Sequence, residues 1–395
     1  MGVSTNRDAW VYSFDVDKLK ANTRACIHFY NAERKRWQQS LDNKEKKMDA
    51  FLNNDKKKIS WTRGLKRKLE KNTIITFDEK KIQKSLYRPF CKQYLYFDEN
   101  LNEMQLLQTR LKPSEKERNI QIIASGIGHS KEFSCLVTDL IPCLDAIEKG
   151  QSFPLYWYEN ASSGKHIRHE AVSSEILRVF KSAFPAGFTG RLKKDGGPEI
   201  SKEDIFYYIY GILHSPEYRE RFVFNLKKEL PRIPLSRNFA SFAVMGRQLA
   251  ELHLNYEQAE MYPLEIVGDI KTAGPVIKMR WGKKKDPKTG QKLDDHSVLV
   301  YNENLTFKNI PEEADRYVVN GRTPLEWMID RYQIKMDKNS GIVNDPNEYS
   351  DDPLYIPQLI QRLVTVSVET TRIVEHMPAL AEIEQIVAWP EEWKK

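Results

Sequence analysis

The feature that most constrains the fold is a repeated change of hydrophobic periodicity along the chain. Up to about residue 72, apolar residues such as Leu19, Ile27 and Tyr30 indicate amphipathic helix. From Thr73, aromatic and polar residues alternate, as in "SLYRPFCKQYLYFD", which is typical of short strands. Helical and strand patterns then follow each other without a clear βαβ unit. The sequence therefore predicts an α+β fold of mixed helices and small antiparallel sheets, in two or three subdomains.

These changes of pattern predict five segments. They are an N-terminal helical segment (1–72), a β-rich segment (73–200), a helical segment (201–261), a small antiparallel sheet with a basic hairpin (262–320) and C-terminal helices (321–395). The sheet of the β-rich segment is expected to continue from the tyrosine-rich strands through 120–124 and "SCLVT" to "FPLYWY".

Local signals mark where several helices begin. Ser201 is followed three residues later by Asp204, which resembles a capping box. Thr323, followed by Pro324 and Glu326, combines an N-cap, a proline at the first helical position and a capping-box acid. These residues predict helices that start at Ser201 and at Thr323.

Composition limits the class of protein. The chain has 395 residues, 30% of them charged, and a net charge of +7, with no apolar run of membrane-spanning length and no secretory signal at its start. Cys26, Cys91, Cys135 and Cys143 form no C-x-x-C pair and no zinc spacing. We therefore expect a cytoplasmic protein with reduced thiols, no structural metal and no membrane partner.

Lysine and arginine are concentrated in four clusters, around "KKKISWTRGLKRKLEKN", "GKHIRH", "GRLKKDGG" and "KMRWGKKKDPKTGQK". Such clusters are typical of phosphate-binding surfaces, although a charge run can also be a solvated face. The residues predicted to contact DNA phosphates are Arg63, Lys66, Arg67, Lys68, Lys165, Arg168, Lys193, Lys283, Lys284 and Lys285.

Catalytic signatures are weak. In "IIASGIGHS" the glycines favour a turn over a cofactor loop, because the third glycine and a following helix are missing. His214, at a predicted helix junction, is interpreted as a structural hydrogen-bonding residue rather than a base. Asp269 and Lys271 offer a minor match to a nuclease motif, and no P-loop is present. We therefore predict no catalytic, cofactor-binding or metal-binding residue in this chain.

The strings "ISWTRGLKRKL", "SLYRPFCKQYLYFD", "DIFYYIYGILHSPEYRERF", "FAVMGRQLAELHLNYE" and "YVVNGRTPLEWMIDRYQIKMDKNSGIVNDPNEY" occur together and in order. They resemble the C-terminal portion of type ISP single-polypeptide restriction-modification enzymes. The resemblance implies a target recognition domain that follows an adenine-N6 methyltransferase. It also implies that S-adenosylmethionine, ATP and Mg act in upstream nuclease, translocase and methyltransferase domains, in the same polypeptide or in a separate subunit.

The resemblance implies sequence-specific binding of double-stranded DNA, with the neighbouring methyltransferase flipping an adenine out of the duplex. Two alternatives stay open at this point. The chain could be an interaction scaffold that docks the methyltransferase without recognising a sequence by itself, or a freestanding nuclease that uses Asp269 and Lys271.

Overall fold

The computed structural model describes residues 1–40, 47–161, 164–184 and 199–383. Their helices are α1 (Asp8–Val11), α2 (Val16–Ser40), α3 (Met48–Phe51), α4 (Arg63–Glu70), α5 (Gln108–Leu111), α6 (Ser174–Ala183), α7 (Lys202–His214), α8 (Pro216–Arg221), α9 (Val223–Lys228), α10 (Phe239–Leu254), α11 (Pro324–Arg331) and α12 (Tyr355–Glu375).

The strands are short and mostly antiparallel. They are β1 (Tyr12–Ser13), β2 (Ile82–Arg88), β3 (Cys91–Tyr96), β4 (Gln121–Ala124), β5 (Cys135–Thr138), β6 (Ile141–Pro142), β7 (Gln151–Pro154), β8 (Tyr156–Asn160), β9 (His166–Glu170), β10 (Glu265–Val267), β11 (Arg280–Lys285), β12 (Lys292–Val300), β13 (Thr306–Lys308), β14 (Lys335–Met336) and β15 (Val343–Asn344). The predicted α+β class is confirmed.

The prediction of a single sheet across the β-rich segment is wrong. Its strands belong to three sheets, ordered β1-β3-β2-β6, β5-β4-β7 and β8-β9. The break between the last two lies at Tyr156. The Leu155 N–H still donates to the Ile120 carbonyl (2.8 Å), in register with the β4–β7 pair, but the Tyr156 N–H donates to the side-chain oxygen of Asn119 (3.0 Å) and not to its backbone. From Tyr156 onward, β8 pairs with β9.

The segment after residue 262, predicted to form a small antiparallel sheet, contains the four strands of a separate antiparallel sheet ordered β10-β13-β12-β11. β11 and β12 run beyond β13, so their far ends project as a two-stranded hairpin. The hairpin lies where the lysine-rich "GKKKDPKTGQK" was predicted to lie.

Three hydrophobic cores support these elements. One packs α2 and α4 against β3, through Leu19, Leu65 and Leu95. A second packs α7 and α10 on β4 and β5. The third joins the β10–β13 sheet to α11 and α12, through residues such as Phe307 and Leu363. The five-segment division itself stays a prediction.

The predicted helix starts are confirmed. Ser201 and Asp204 form a reciprocal capping box at α7, and Thr323 and Glu326 form another at α11, with Pro324 in its first turn. Such reciprocal bonds satisfy amide groups that would otherwise lack partners at the helix start.

Two glycines set the distance between α7 and α10. A Cβ on Gly211 would lie 2.3 Å from the carbonyl oxygen of Phe242, and a Cβ on Gly246 would lie 1.9 Å from that of Tyr207. Any side chain at either position would push the two backbones apart. The helices therefore make a close, fixed crossing beneath β4 and β5.

Candidate nucleic-acid interface

Helix α4 presents the first basic cluster. The Thr62 side chain caps the helix, and Leu65 and Leu69 bury one of its faces, which leaves Arg63 and Arg67 exposed. Amphipathic spacing therefore explains why these two arginines face solvent.

The two lysines of α4 that were predicted to contact DNA, Lys66 and Lys68, are already in contact with neighbouring groups. Lys66 Nζ lies 2.6 Å from Asp49 Oδ1, and Lys68 Nζ donates to Asn100 Oδ1 at 2.9 Å. Trp61 donates from its ring nitrogen to the Asn53 carbonyl (2.9 Å), so it anchors the loop that leads into the helix.

The second cluster lies on β8 and β9, which we call the aromatic ribbon. Its cross-strand pairs include Trp157 with His169, Tyr158 with Arg168, and Glu159 with Ile167. Because side chains alternate across a strand, Trp157, Glu159, Ile167 and His169 share one face. We call this the outer face, and the opposite one, which bears Tyr158, the inner face.

The inner face is fixed to the preceding loop. The Tyr158 hydroxyl donates to the Arg118 carbonyl at 2.9 Å, and His166 Nδ1 lies 2.8 Å from Glu117 Oε1. Partial burial alone would raise the pKa of Glu117, but hydrogen bonds from Ser114 and His166 outweigh it and lower that pKa. A charged Glu117 therefore holds the ribbon by one face.

On the outer face, a stack of planar groups covers the base of the ribbon. The Trp157 and His169 rings are parallel, with centroids 4.1 Å apart, and the Arg110 guanidinium lies 4.7 Å from the centre of the Trp157 ring. Nearer the tip, Glu159 and Ile167 face solvent, with the Glu159 side chain 59% exposed and Ile167 49% exposed.

Cations surround this ribbon. Lys165 is exposed beside the turn, and the Arg168 guanidinium lies 4.4 Å from the centre of the Tyr156 ring. Arg110 and Arg118 are exposed on the neighbouring segment. Within the part of the chain that the structure describes, none of these four side chains has a carboxylate within 4.0 Å.

The third cluster lies on the projecting ends of β11 and β12, which we call the lysine ribbon. Lys283 Nζ lies 2.6 Å from Asp294 Oδ1, and Lys284 Nζ lies 3.7 Å from Asp295 Oδ1. A hydrogen bond from Ser297 lowers the pKa of Asp295. Lys285 faces Lys292 across the strands. The lysine ribbon is therefore partly neutralised by its own aspartates.

The three clusters lie on elements that pack on three different cores, so the structure does not join them into one compact site. Lys193 lies outside the described residues. The contact between Arg110 and Trp157 was not predicted, because each is an ordinary residue in its own segment and the fold brings the two together.

The other residues considered in the sequence have structural surroundings. The Gly126 and Gly128 segment is a strand followed by a turn, as predicted; Gly128 has φ +74, and a Cβ on Gly126 would lie 2.0 Å from the Lys149 carbonyl. Asp269 accepts from the Lys271 amide (2.9 Å) and so caps its own turn.

His214 is buried between helices, and its Nδ1 lies 2.9 Å from the Tyr210 carbonyl, which confirms a structural role. Nearby, His253 contacts the Tyr210 hydroxyl (2.7 Å) and the Thr370 hydroxyl (2.9 Å). Burial lowers the pKa of both histidines, that of His253 to about 3, and raises the pKa of the Cys135 thiol to about 11.

Among the described residues, no group of three or more histidine, cysteine or acidic side chains is placed to bind a metal ion. None of the described helices is both long and apolar enough to span a bilayer. All four cysteines are buried free thiols.

The family model of the Type ISP C-terminal specificity domain matches residues 1–359. The chain therefore belongs to that family, and the resemblance seen in the sequence is confirmed. A search of curated proteins found no match.

Solved structures agree along nearly the whole chain. A nuclease-deletion mutant of the Type ISP restriction-modification enzyme LlaGI, in complex with a DNA substrate mimic, matches 97% of this chain with TM-score 0.80 and 35% identity. The ATP-dependent Type ISP enzyme LlaBIII bound to DNA matches 97% with TM-score 0.82 and 31% identity. A DrdV–DNA complex matches 96% with TM-score 0.79 and 32% identity. This chain covers 28%, 23% and 35% of those three chains, respectively.

Proposed function

We propose that this chain binds double-stranded DNA in a sequence-specific way, as the target recognition domain of a Type ISP restriction-modification enzyme. The observation that supports this most directly is its match, over at least 96% of its length and at 31–35% identity, to enzymes that were solved with DNA or a DNA mimic. Membership in the specificity-domain family gives the same role.

Recognition of this kind divides the contacts between two tasks. Lysine and arginine neutralise phosphates and fix the register, while a few side chains contact base edges in the groove. We assign the phosphate contacts to cations of α4, the aromatic ribbon and the lysine ribbon, which are Arg63, Lys66, Arg67, Lys68, Lys165, Arg168, Lys283, Lys284 and Lys285, together with Lys193.

The chemistry would be carried out elsewhere in the enzyme. An adenine-N6 methyltransferase would flip the target adenine from the bound duplex, and a translocating ATPase and a nuclease would restrict unmodified DNA, in the same polypeptide or as a separate subunit. S-adenosylmethionine, ATP and Mg would bind in those domains, and the whole assembly would work in the cytoplasm.

The test is a fluorescence-anisotropy titration of the purified chain with a randomised duplex pool, at two salt concentrations and with a polyanion competitor, followed by sequencing of the retained DNA. We expect salt-dependent binding and a recovered consensus sequence. Binding without a consensus would mean that specificity requires the methyltransferase. No binding would favour the scaffold alternative.

A further inference from the structure

The two ribbons differ in the kind of contact that their exposed groups can make. A two-stranded β-ribbon fits the major groove, which is about 12 Å wide, and its side chains can then reach base edges. The lysine ribbon presents mainly ammonium groups, which suit phosphates because they are flexible point charges. The aromatic ribbon presents a carboxylate and an aliphatic side chain on one face, which suit bases better.

The orientation of the aromatic ribbon is fixed by its anchors. Tyr158 and His166 hold the inner face against the loop at 117–118, while the tip of the outer face, at Glu159 and Ile167, is exposed to solvent. Its base is made rigid by the stack of Arg110, Trp157 and His169. Side chains that are held by packing keep the geometry that specific contacts require.

Two exposed residues then lie beyond the stack. Glu159 and Ile167 face each other across the strands on the outer face. A carboxylate accepts a hydrogen bond from the amino group of cytosine, and an aliphatic side chain packs against the methyl group of thymine. Neither contact suits a phosphate, because a carboxylate repels it and an aliphatic group gives it no hydrogen bond.

The charges around the ribbon favour duplex DNA as its partner. The exposed cations Arg110, Arg118, Lys165 and Arg168 have no carboxylate within 4.0 Å in the described residues, so their charge is available to phosphates. Two of the acids beside them are engaged: Glu117 contacts His166 (2.8 Å), and Glu170 contacts Lys202 (2.7 Å). Glu159 lies 3.4 Å from His169, but its side chain is 59% exposed and can still accept a hydrogen bond from a base.

We propose that the aromatic ribbon enters the major groove by its outer face, with Glu159 and Ile167 contacting base edges while Lys165, beside the turn, contacts a flanking phosphate. This proposal rests on the proposed function, because it names the residues through which the same DNA would be recognised.

The experiment repeats the selection from a randomised duplex pool with the full chain and with Glu159→Gln and Ile167→Ala. Glu303→Gln and Leu293→Ala are matched controls, because Glu303 is an exposed acid in another turn and Leu293 is a 43%-exposed aliphatic residue on the lysine ribbon. All four positions are exposed, so each variant should keep the melting temperature of the wild type.

We expect Glu159→Gln and Ile167→Ala each to relax the consensus at one base pair and to weaken binding to the wild-type site by about 5- to 150-fold. Binding to unrelated duplexes should change little, and both controls should keep the wild-type consensus. If the two ribbon variants also keep it at full affinity, the assignment is overturned while the proposed function stands. If the wild type itself yields no consensus, sequence recognition by this chain fails and the ribbon assignment fails with it.

Discussion

The aromatic ribbon and the lysine ribbon are built alike and differ in what they leave exposed. A tryptophan stacks on a histidine across the strands in both: Trp157 on His169 at 4.1 Å within the aromatic ribbon, and Trp281 on His296 at 4.5 Å at the base of the lysine ribbon. Trp281 is buried in the core of its sheet, whereas Trp157 remains half-buried on an outer face. The same pair therefore supports the fold in one ribbon and shapes a surface in the other.

The two ribbons also differ in how many of their cations are paired with an acid. The lysine ribbon has more cations, but Asp294 and Asp295 pair with two of them. The aromatic ribbon has fewer, and Lys165 and Arg168 have no ion pair within the described part of the chain. The number of lysines in the sequence therefore overstates the difference between the two ribbons in the positive charge available to DNA.

The largest expected difference between the ribbons is in stability. Trp281→Ala should lower the free energy of unfolding by about 3–5 kcal/mol, the usual cost of removing a buried aromatic side chain. Trp157→Ala should cost less than half of that, because its ring is partly in water already. Urea denaturation of both variants measures the two costs, and equal costs would contradict the contrast between them.

Acid should destabilise the folded chain through its two buried histidines, His214 and His253. Burial holds His214 and His253 neutral by lowering their pKa values, that of His253 to about 3, while unfolded histidine titrates near 6.5. Stability should therefore be constant above about pH 6.5 and fall by roughly 1.4 kcal/mol per pH unit for each histidine below it.

Urea titrations at pH 7.5, 6.5 and 5.5 measure this slope. His253→Gln should reduce it by about half, because it removes one of the two buried histidines. A flat profile in the wild type would contradict the assignment. Comparisons of DNA binding by the two ribbons belong above pH 7, where the scaffold is at full stability.

Removing Asp294 and Asp295 should leave the lysines of the lysine ribbon unpaired, like the cations of the aromatic ribbon. The double variant Asp294→Asn and Asp295→Asn frees Lys283 and Lys284, so binding to DNA of any sequence should strengthen. The dependence of log affinity on log salt should become steeper by about one to two. An unchanged salt dependence would mean that this ribbon does not approach the phosphates.

The smallest expected effects come from single cations. Lys165→Ala and Arg168→Ala should each reduce the salt slope by about one, without altering the consensus. Lys283→Ala should reduce it by less, because that lysine must first leave Asp294. Anisotropy titrations at several salt concentrations distinguish the two cases, and an equal loss for Lys283 would remove the contrast in charge.

Local sequence was enough to predict the features that depend on neighbouring residues. The capping boxes at Ser201 and Thr323 require partners only three residues apart, and the strands around Tyr94 follow from alternation alone. The hairpin of the lysine ribbon was predictable for the same reason, since its strands and its turn are contiguous.

Features that depend on distant partners were not predictable in this way. The sheet was expected to continue through "FPLYWY", but the Asn119 side chain takes the backbone bonds of Tyr156, and within the described residues β8 pairs with β9. Likewise, the contact between Arg110 and Trp157 arises from the packing of α5 beside β8. The basic residues could be located from the sequence. Their acidic partners could not, because those partners are brought close by the fold.

The aromatic ribbon is attached to the domain by its inner face only, within the described residues, and this affects how its preferred DNA sequence can be changed. Its anchors, Tyr158 and His166, lie on the inner face, while Glu159 and Ile167 on the outer face contribute nothing to a hydrophobic core. Beneath β4 and β5, the glycine crossing of α7 and α10 tolerates no added side chain. Exchange of the outer-face residues between relatives, with the anchors kept, is therefore a practical route to redesigning the preferred DNA sequence without refolding the domain.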